Sequence, residues 1–173
     1  MVAISRVLMT IALLGMVAVP GSHANTIQSP DFSFRGLDGP NVTAESVRGE
    51  VVVLGFGASW LPLTRTQMEG LKKLADGYAG RGVAVYWVST DSDAAKSKNF
   101  VDDAQLRELG RKYKITVLRD PDAAVSKRLG VDQLPSTIIL NKQGQVSANV
   151  NGIDPAVDLA KQLAERLDAV LKG

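Results

Sequence analysis

Residues 51–64 read Val51-Val52-Val53-Leu54-Gly55-Phe56-Gly57-Ala58-Ser59-Trp60-Leu61-Pro62-Leu63-Thr64. The first six form an unbroken apolar run of strand length, the pattern of a central strand covered on both faces. From about Leu61 to Tyr78 the spacing changes. Met68, Leu71, Leu74, Ala75 and Tyr78 recur every three or four residues, which predicts a helix with one apolar face, stopped by Gly80 and Gly82. A second buried strand is expected over Val83 to Val88. Strand, helix and strand in that order demand a parallel crossover, which leads to a three-layer α/β sandwich.

Working outward, Phe32 and Phe34 alternate with polar neighbours before a turn at Leu37-Asp38-Gly39 and a short strand at Asn41-Val42-Thr43, a hairpin that would cap one end of the sheet. Beyond Val88 the polar stretch Ser89 to Asn99 reads as a loop, Leu106, Leu109 and Tyr113 mark a helix, and Thr116-Val117-Leu118 a strand. A short helix is expected from Ala123 to Leu129, ended by Gly130, then a hairpin of Ser136–Leu140 and Val146–Val150 about a turn at Asn141–Gly144. The last helix is predicted from about Pro155 to Leu171, with Ala156, Ala160, Leu163, Leu167 and Val170 on its apolar face. The sheet is therefore mixed, and no repeat or linker divides the chain.

The first residues have the three parts of a secretory leader: Arg6, an apolar run of thirteen residues from Val7 to Val19, and small Ser22 and Ala24 around His23. A membrane-spanning helix needs roughly 20 apolar residues. Residues 1–24 are thus expected to be a cleaved signal peptide and 25–173 a single exported domain with no stable membrane span. Of 20 basic and 18 acidic side chains only Arg6 lies in that leader, as does the one histidine. The remainder is nearly balanced and its charges are scattered, so nothing favours nucleic acid.

Small exported proteins often rely on disulfides, yet this chain has no cysteine. Without cysteine, and without histidine after the leader, there is no thiolate, no Ser-His-Asp or Cys-His unit, and no imidazole or sulfur ligand for zinc or copper. The acidic pairs Asp91 with Asp93, Asp102 with Asp103, and Asp120 with Asp122 lack the spacing of a calcium loop. They are expected at turns and helix starts. No metal and no cofactor is expected.

The stretch Gly55 to Thr64 resembles the exported TlpA-like branch of the thioredoxin superfamily, in which the same point reads Phe-Trp-Ala-Ser-Trp-Cys-Pro-Pro-Cys. The resemblance extends over Pro30-Asp31-Phe32, Leu37-Asp38-Gly39, Gly49-Glu50-Val51-Val52-Val53-Leu54, Val88-Ser89-Thr90-Asp91, Asp120-Pro121-Asp122, Gly130-Val131 and Leu134-Pro135-Ser136-Thr137. It implies a thioredoxin fold with an added N-terminal hairpin, of the type also found in redoxins of the alkyl hydroperoxide reductase and thiol-specific antioxidant group. It also places the attacking cysteine of active relatives at Leu61 and the resolving cysteine at Thr64. Glutathione peroxidases are similar in a different way, with threonine at the position of Thr64 and their reactive residue at Leu61.

In active relatives a helix N-terminus lowers the thiol pKa from about 8.5 towards 7. Leucine has nothing to ionise, and no histidine is available as a base for the Thr64 hydroxyl. Ser59 and Thr64 are expected to cap the helix, with Pro62 in its first turn. The resemblance further implies that Pro135 is a cis-proline facing the old active site and that the backbone of Leu134 pairs with an extended peptide. Trp60, Leu61, Pro62 and Leu63 beside Leu134 and Pro135 would then make an apolar binding surface. In the plainer reading Trp60 and Leu63 pack inward. The expected function is redox-inactive binding of a periplasmic protein or peptide. The alternatives are an oxidoreductase or peroxidase activity working through a partner's cysteines, or a scaffold without a ligand.

Overall fold

In the computed structural model, which describes residues 30–173, the chain runs β1 (Ser33–Gly36), β2 (Val42–Thr43), β3 (Val51–Gly57), α1 (Thr64–Gly77), β4 (Val83–Ser89), α2 (Asp103–Tyr113), β5 (Thr116–Arg119), α3 (Ala124–Arg128), β6 (Ser136–Leu140), β7 (Val146–Asn151) and α4 (Leu159–Lys172). The expected signal peptide lies outside the described residues. Among those residues no helix is long and apolar enough to cross a membrane.

The strands form one mixed sheet in the order β2-β1-β5-β4-β3-β6-β7. Strands β3, β4 and β5 are parallel, while β1, β6 and β7 run against their neighbours. The added hairpin is β1 against β2, with Ser33 opposite Thr43 and Phe34 opposite Val42.

Every residue of β3 is buried, because its alternate side chains enter two separate cores. Val51 and Val53 join Met68, Leu71 and Leu74 of α1, Leu106 of α2, and Leu159, Leu163 and Leu167 of α4. Val52, Leu54 and Phe56 point the other way, toward Phe32, Phe34, Val125 and Leu129. These faces are the outer layers of a three-layer sandwich. Gly55 interrupts the β3 run for a steric reason: a Cβ there would lie 2.5 Å from Leu71 Cδ1.

Two helix starts fall later than the sequence pattern suggests. Helix α1 begins at Thr64, after Pro62, and its cap position is Leu63, with no side-chain cap. Helix α4 begins at Leu159 rather than Pro155, because Asp158 accepts from the amides of Ala160 and Lys161 and starts the helix there. Ala156 consequently lies in the preceding turn and is exposed. The loop after β4 holds a single bridge between Ser92 and Phe100.

Helix α2 has a complete capping box. The Asp102 carboxylate accepts from Gln105 N–H at 2.7 Å, and the Gln105 side chain accepts from Asp102 N–H at 3.1 Å. Next to it, Asp103 ties three elements together, accepting from Arg35 of β1 at 2.8 and 2.9 Å and from Arg119 of β5 at 2.7 Å. The Arg119 side chain is only 1% exposed.

The hydrogen bond from Arg35, followed by that from Arg119, holds the Asp103 carboxyl well below the ordinary carboxylate range. A carboxyl that binds protons less readily folded than unfolded stabilises the fold above its unfolded pKa of about 4 and loses that contribution as the pH falls further. Replacing Asp103→Asn should lower stability at neutral pH by about 1–3 kcal/mol. Urea melts should also show a shallower loss of stability below about pH 4 than in the unaltered protein.

Candidate functional site

The segment joining β3 to α1 is built from two successive turns. Leu61 N–H donates to the Ala58 carbonyl and Thr64 N–H to the Leu61 carbonyl, both at 3.1 Å. The Thr64 hydroxyl turns back beneath them and donates to the Ala58 carbonyl at 2.6 Å. Thr64 therefore fastens the turn rather than capping α1, and it is buried. Leu61 precedes the helix by three residues, with its N–H and C=O both engaged.

Ser59 does not cap the helix either. Its N–H donates to both Asp91 carboxylate oxygens at 2.9 and 3.1 Å, and its hydroxyl donates to the same carboxylate at 3.0 Å. The Ser89 hydroxyl adds another donor at 2.8 Å. Asp91 is buried, and these donors compensate the water it has lost. Three members of the other acidic pairs, Asp102, Asp103 and Asp120, also have structural partners. Asp120 accepts from the amides of Val125 and Ser126 at 3.3 and 2.7 Å at the start of α3, while Asp102 and Asp103 serve α2 as described. Among the described residues no metal-ligating cluster forms.

Below the turn, the buried Gln67 side chain joins three strands. Its Nε2 donates to the carbonyls of Phe56 and Ser136 at 3.2 and 3.0 Å, and its Oε1 accepts from Trp87 Nε1–H at 2.9 Å. Sequence reasoning passed over Gln67. The available signal was its place on the apolar stripe of α1, three residues before Gly70 and four before Leu71, where a polar side chain has to be satisfied internally.

The proline loop lies alongside. Phe56 is opposite Ser136 in the β3–β6 pair, and continuing that register sets Gly57 against Pro135 and Ala58 against Leu134. The Leu134–Pro135 peptide bond is cis. Pro135 is buried, Pro62 is exposed, Leu61 is half-buried, and Leu63 packs against the α1 core. Trp60 is 58% exposed and Leu134 37%. The alternative of Trp60 and Leu63 both packing inward thus holds for Leu63 alone. The backbone N–H and C=O of Leu134 take part in no hydrogen bond among the described residues.

A mixed sheet with this strand order, helices on both faces and a strand-to-helix turn beside a proline loop defines a thioredoxin-fold domain. The match to the AhpC/TSA family covers residues 27–149, and the chain belongs to that family. It is 26% identical over 145 residues to the thiol-disulfide oxidoreductase ResA of Bacillus thuringiensis subsp. konkukian, covering 84% of this chain and 75% of the relative. It is 29% identical over 143 residues to the thioredoxin-like protein YneN of Bacillus subtilis, with coverage of 82% and 77%. The exposed lipoprotein thioredoxin Etrx1 of Streptococcus pneumoniae superposes with a TM-score of 0.62 at 25% identity, covering 78% of this chain and 98% of that one. A secreted Mycobacterium tuberculosis disulfide oxidoreductase gives 0.62 at 22% identity, covering 80% and 95%. Against relatives named for thiol-disulfide exchange, this chain contains no cysteine, consistent with redox inactivity.

Two outcomes follow from this geometry. Asp91→Asn presents an amide where the Ser59 and Ser89 donors need acceptors, so it should cost about 1–3 kcal/mol, and hydrogen exchange should speed up at the Ser59 amide before it does in β3. The turn from Leu61 to Thr64, closed by its i to i+3 hydrogen bond, holds the two Cα atoms within about 7 Å, in disulfide reach. A Leu61→Cys, Thr64→Cys double variant should oxidise to one intrachain disulfide, seen by mass spectrometry as the loss of two hydrogens. Persistence of two free thiols after mild oxidation would show that the turn is held in another shape.

Proposed function

We propose that this chain is an exported, redox-inactive member of its family that binds an extended segment of another protein at the surface formed by Trp60, Leu61, Pro62 and Leu134, next to the buried Pro135 and with Leu63 packed against the α1 core. The observation that carries the reading is the unengaged backbone of Leu134 beside two exposed apolar side chains, Trp60 and Leu134. An extended peptide satisfies such backbone groups by strand-like pairing, while its side chains bury apolar area. Trp60 brings a large contact area at a small cost in conformational freedom.

The rest of the site supports binding over turnover. Leu61 and Thr64 bring no ionisable group, and both Asp91 carboxylate oxygens are occupied by donors. The Gln67 side chain braces the floor through neutral hydrogen bonds. A peptide held there would meet a fixed shape. Export is supported by the leader pattern in residues 1–24 and by relatives described as secreted or exposed.

The test uses a permanently unfolded probe, reduced and carboxymethylated α-lactalbumin, titrated into the isotopically labelled protein. The Leu134 amide and the Trp60 indole signal should move together and saturate. Trp60→Ala should weaken binding by roughly 30-fold, the equivalent of about 2 kcal/mol, and Leu134→Pro, which deletes the donor, should weaken it further. Saturable binding that leaves both signals in place, or no binding at all, would sink the assignment.

A further inference from the structure

On the flank of the sheet formed by β1 and β5, away from the Trp60 surface, lies the second feature with the form of a binding site. Strand β1 covers β5 only at Leu118 and Arg119 and then turns away, so Thr116 and Val117 pair with β4 on one side and have no strand on the other. Gly36 permits that departure: a Cβ there would sit 2.5 Å from the Pro40 carbonyl oxygen and 2.8 Å from that of Gly39. The loop folds back tightly and borders an open notch of about 580 Å³ between itself and the end of α2. This volume is within the range of about 300–1,000 Å³ usual for small-molecule sites.

The walls combine apolar area with donors. Pro40, Val42 and the Tyr86 ring supply the accessible apolar part, while Leu37 and Leu118 in the same lining are themselves buried. The Tyr86 hydroxyl makes no hydrogen bond among the described residues, and burial pushes its pKa up, so it stays protonated and able to donate. Of the charges at the rim, Arg107 is committed to the loop, donating from Nε to Asp38 Oδ1 at 2.7 Å and from Nη2 to the Leu37 carbonyl at 2.8 Å. That pair ties the loop to α2 and sets a cation against the Asp38 carboxylate. Arg111 has only a long contact of 3.3 Å to Glu108, with both side chains more than two-thirds exposed, a pair of little energetic weight. Lys114, in the left-handed conformation at the end of α2, has no ion-pair partner among the described residues.

We infer that this notch is a second binding site, for a small amphiphilic monoanion: an apolar body lying on Pro40, Val42 and the Tyr86 ring, with its carboxylate or sulfonate at Arg111 and Lys114. Three cations, Arg107, Arg111 and Lys114, line the notch against a single carboxylate, Asp38, which Arg107 pairs, and that surplus sets the sign of the ligand. The apolar floor sets its character. The site is independent of the peptide surface and shares no residue with it.

Decanoate and its uncharged counterpart, decanol, are the probes, followed by the backbone amide signals of the labelled protein. Decanoate should produce saturable shifts at Leu37 and from Ile115 to Leu118, decanol should bind about tenfold more weakly, and added salt should weaken decanoate alone. Arg111→Glu with Lys114→Glu, two exposed changes whose folding is checked by amide signals remote from the notch staying in place, should reduce decanoate affinity at least about tenfold. Filling the notch with Thr116→Trp should abolish binding of both. The inference is overturned by equal binding of acid and alcohol, by a charge-reversed variant that binds as before, by shifts centred on Trp60 and Leu134, or by no saturable shift at all.

Discussion

Strand β3 is buried along its whole length, and a strand in that position can exist only if both of its faces are covered at once. The covering layers are what the rest of the chain provides. Helices α1, α2 and α4 close over Val51 and Val53, and the Phe32–Phe34 strand and α3 close over Val52, Leu54 and Phe56. Because β3 ends at Gly57 in the middle of the sheet, whatever follows it emerges at the centre of one sheet end, next to the start of β6. The site occupies that place because of the topology, independently of which residues fill it.

Most of this architecture was legible in sequence because it rests on periodicity. The unbroken apolar run of β3 and the three-and-four spacing of α1 are signals that only burial on two faces or on one stripe produces. The polar interior was not legible. Asp91 read as one of several acidic residues in turns, and only the fold brings it under Ser59, 32 positions earlier. Gln67 and Arg119 are similar, with partners on strands distant in sequence. Helix starts were misplaced where a side-chain oxygen competed with the pattern: Asp158 starts α4 later than its apolar stripe suggests, and Ser59 and Thr64 spend their hydroxyls on Asp91 and Ala58 instead of on α1.

The apolar patch and the notch differ in how they arise. Trp60 and Leu134 stand where β3 gives way to α1 beside the proline loop, whereas the notch exists because one strand leaves its neighbour early at Gly36. The first is inherited geometry with altered chemistry. The second is local geometry of the added hairpin, fastened by Arg107.

The turn from Leu61 to Thr64 has one further consequence. A dithiol pair at such a turn gives a protein two covalent states, and the balance between them follows the redox poise of the surroundings. Here the turn is closed by a backbone hydrogen bond and the Thr64 hydroxyl, neither of which gains or loses electrons. The surface above it keeps a single shape whether its surroundings are oxidising or reducing, so anything it recognises is recognised on the same terms in both.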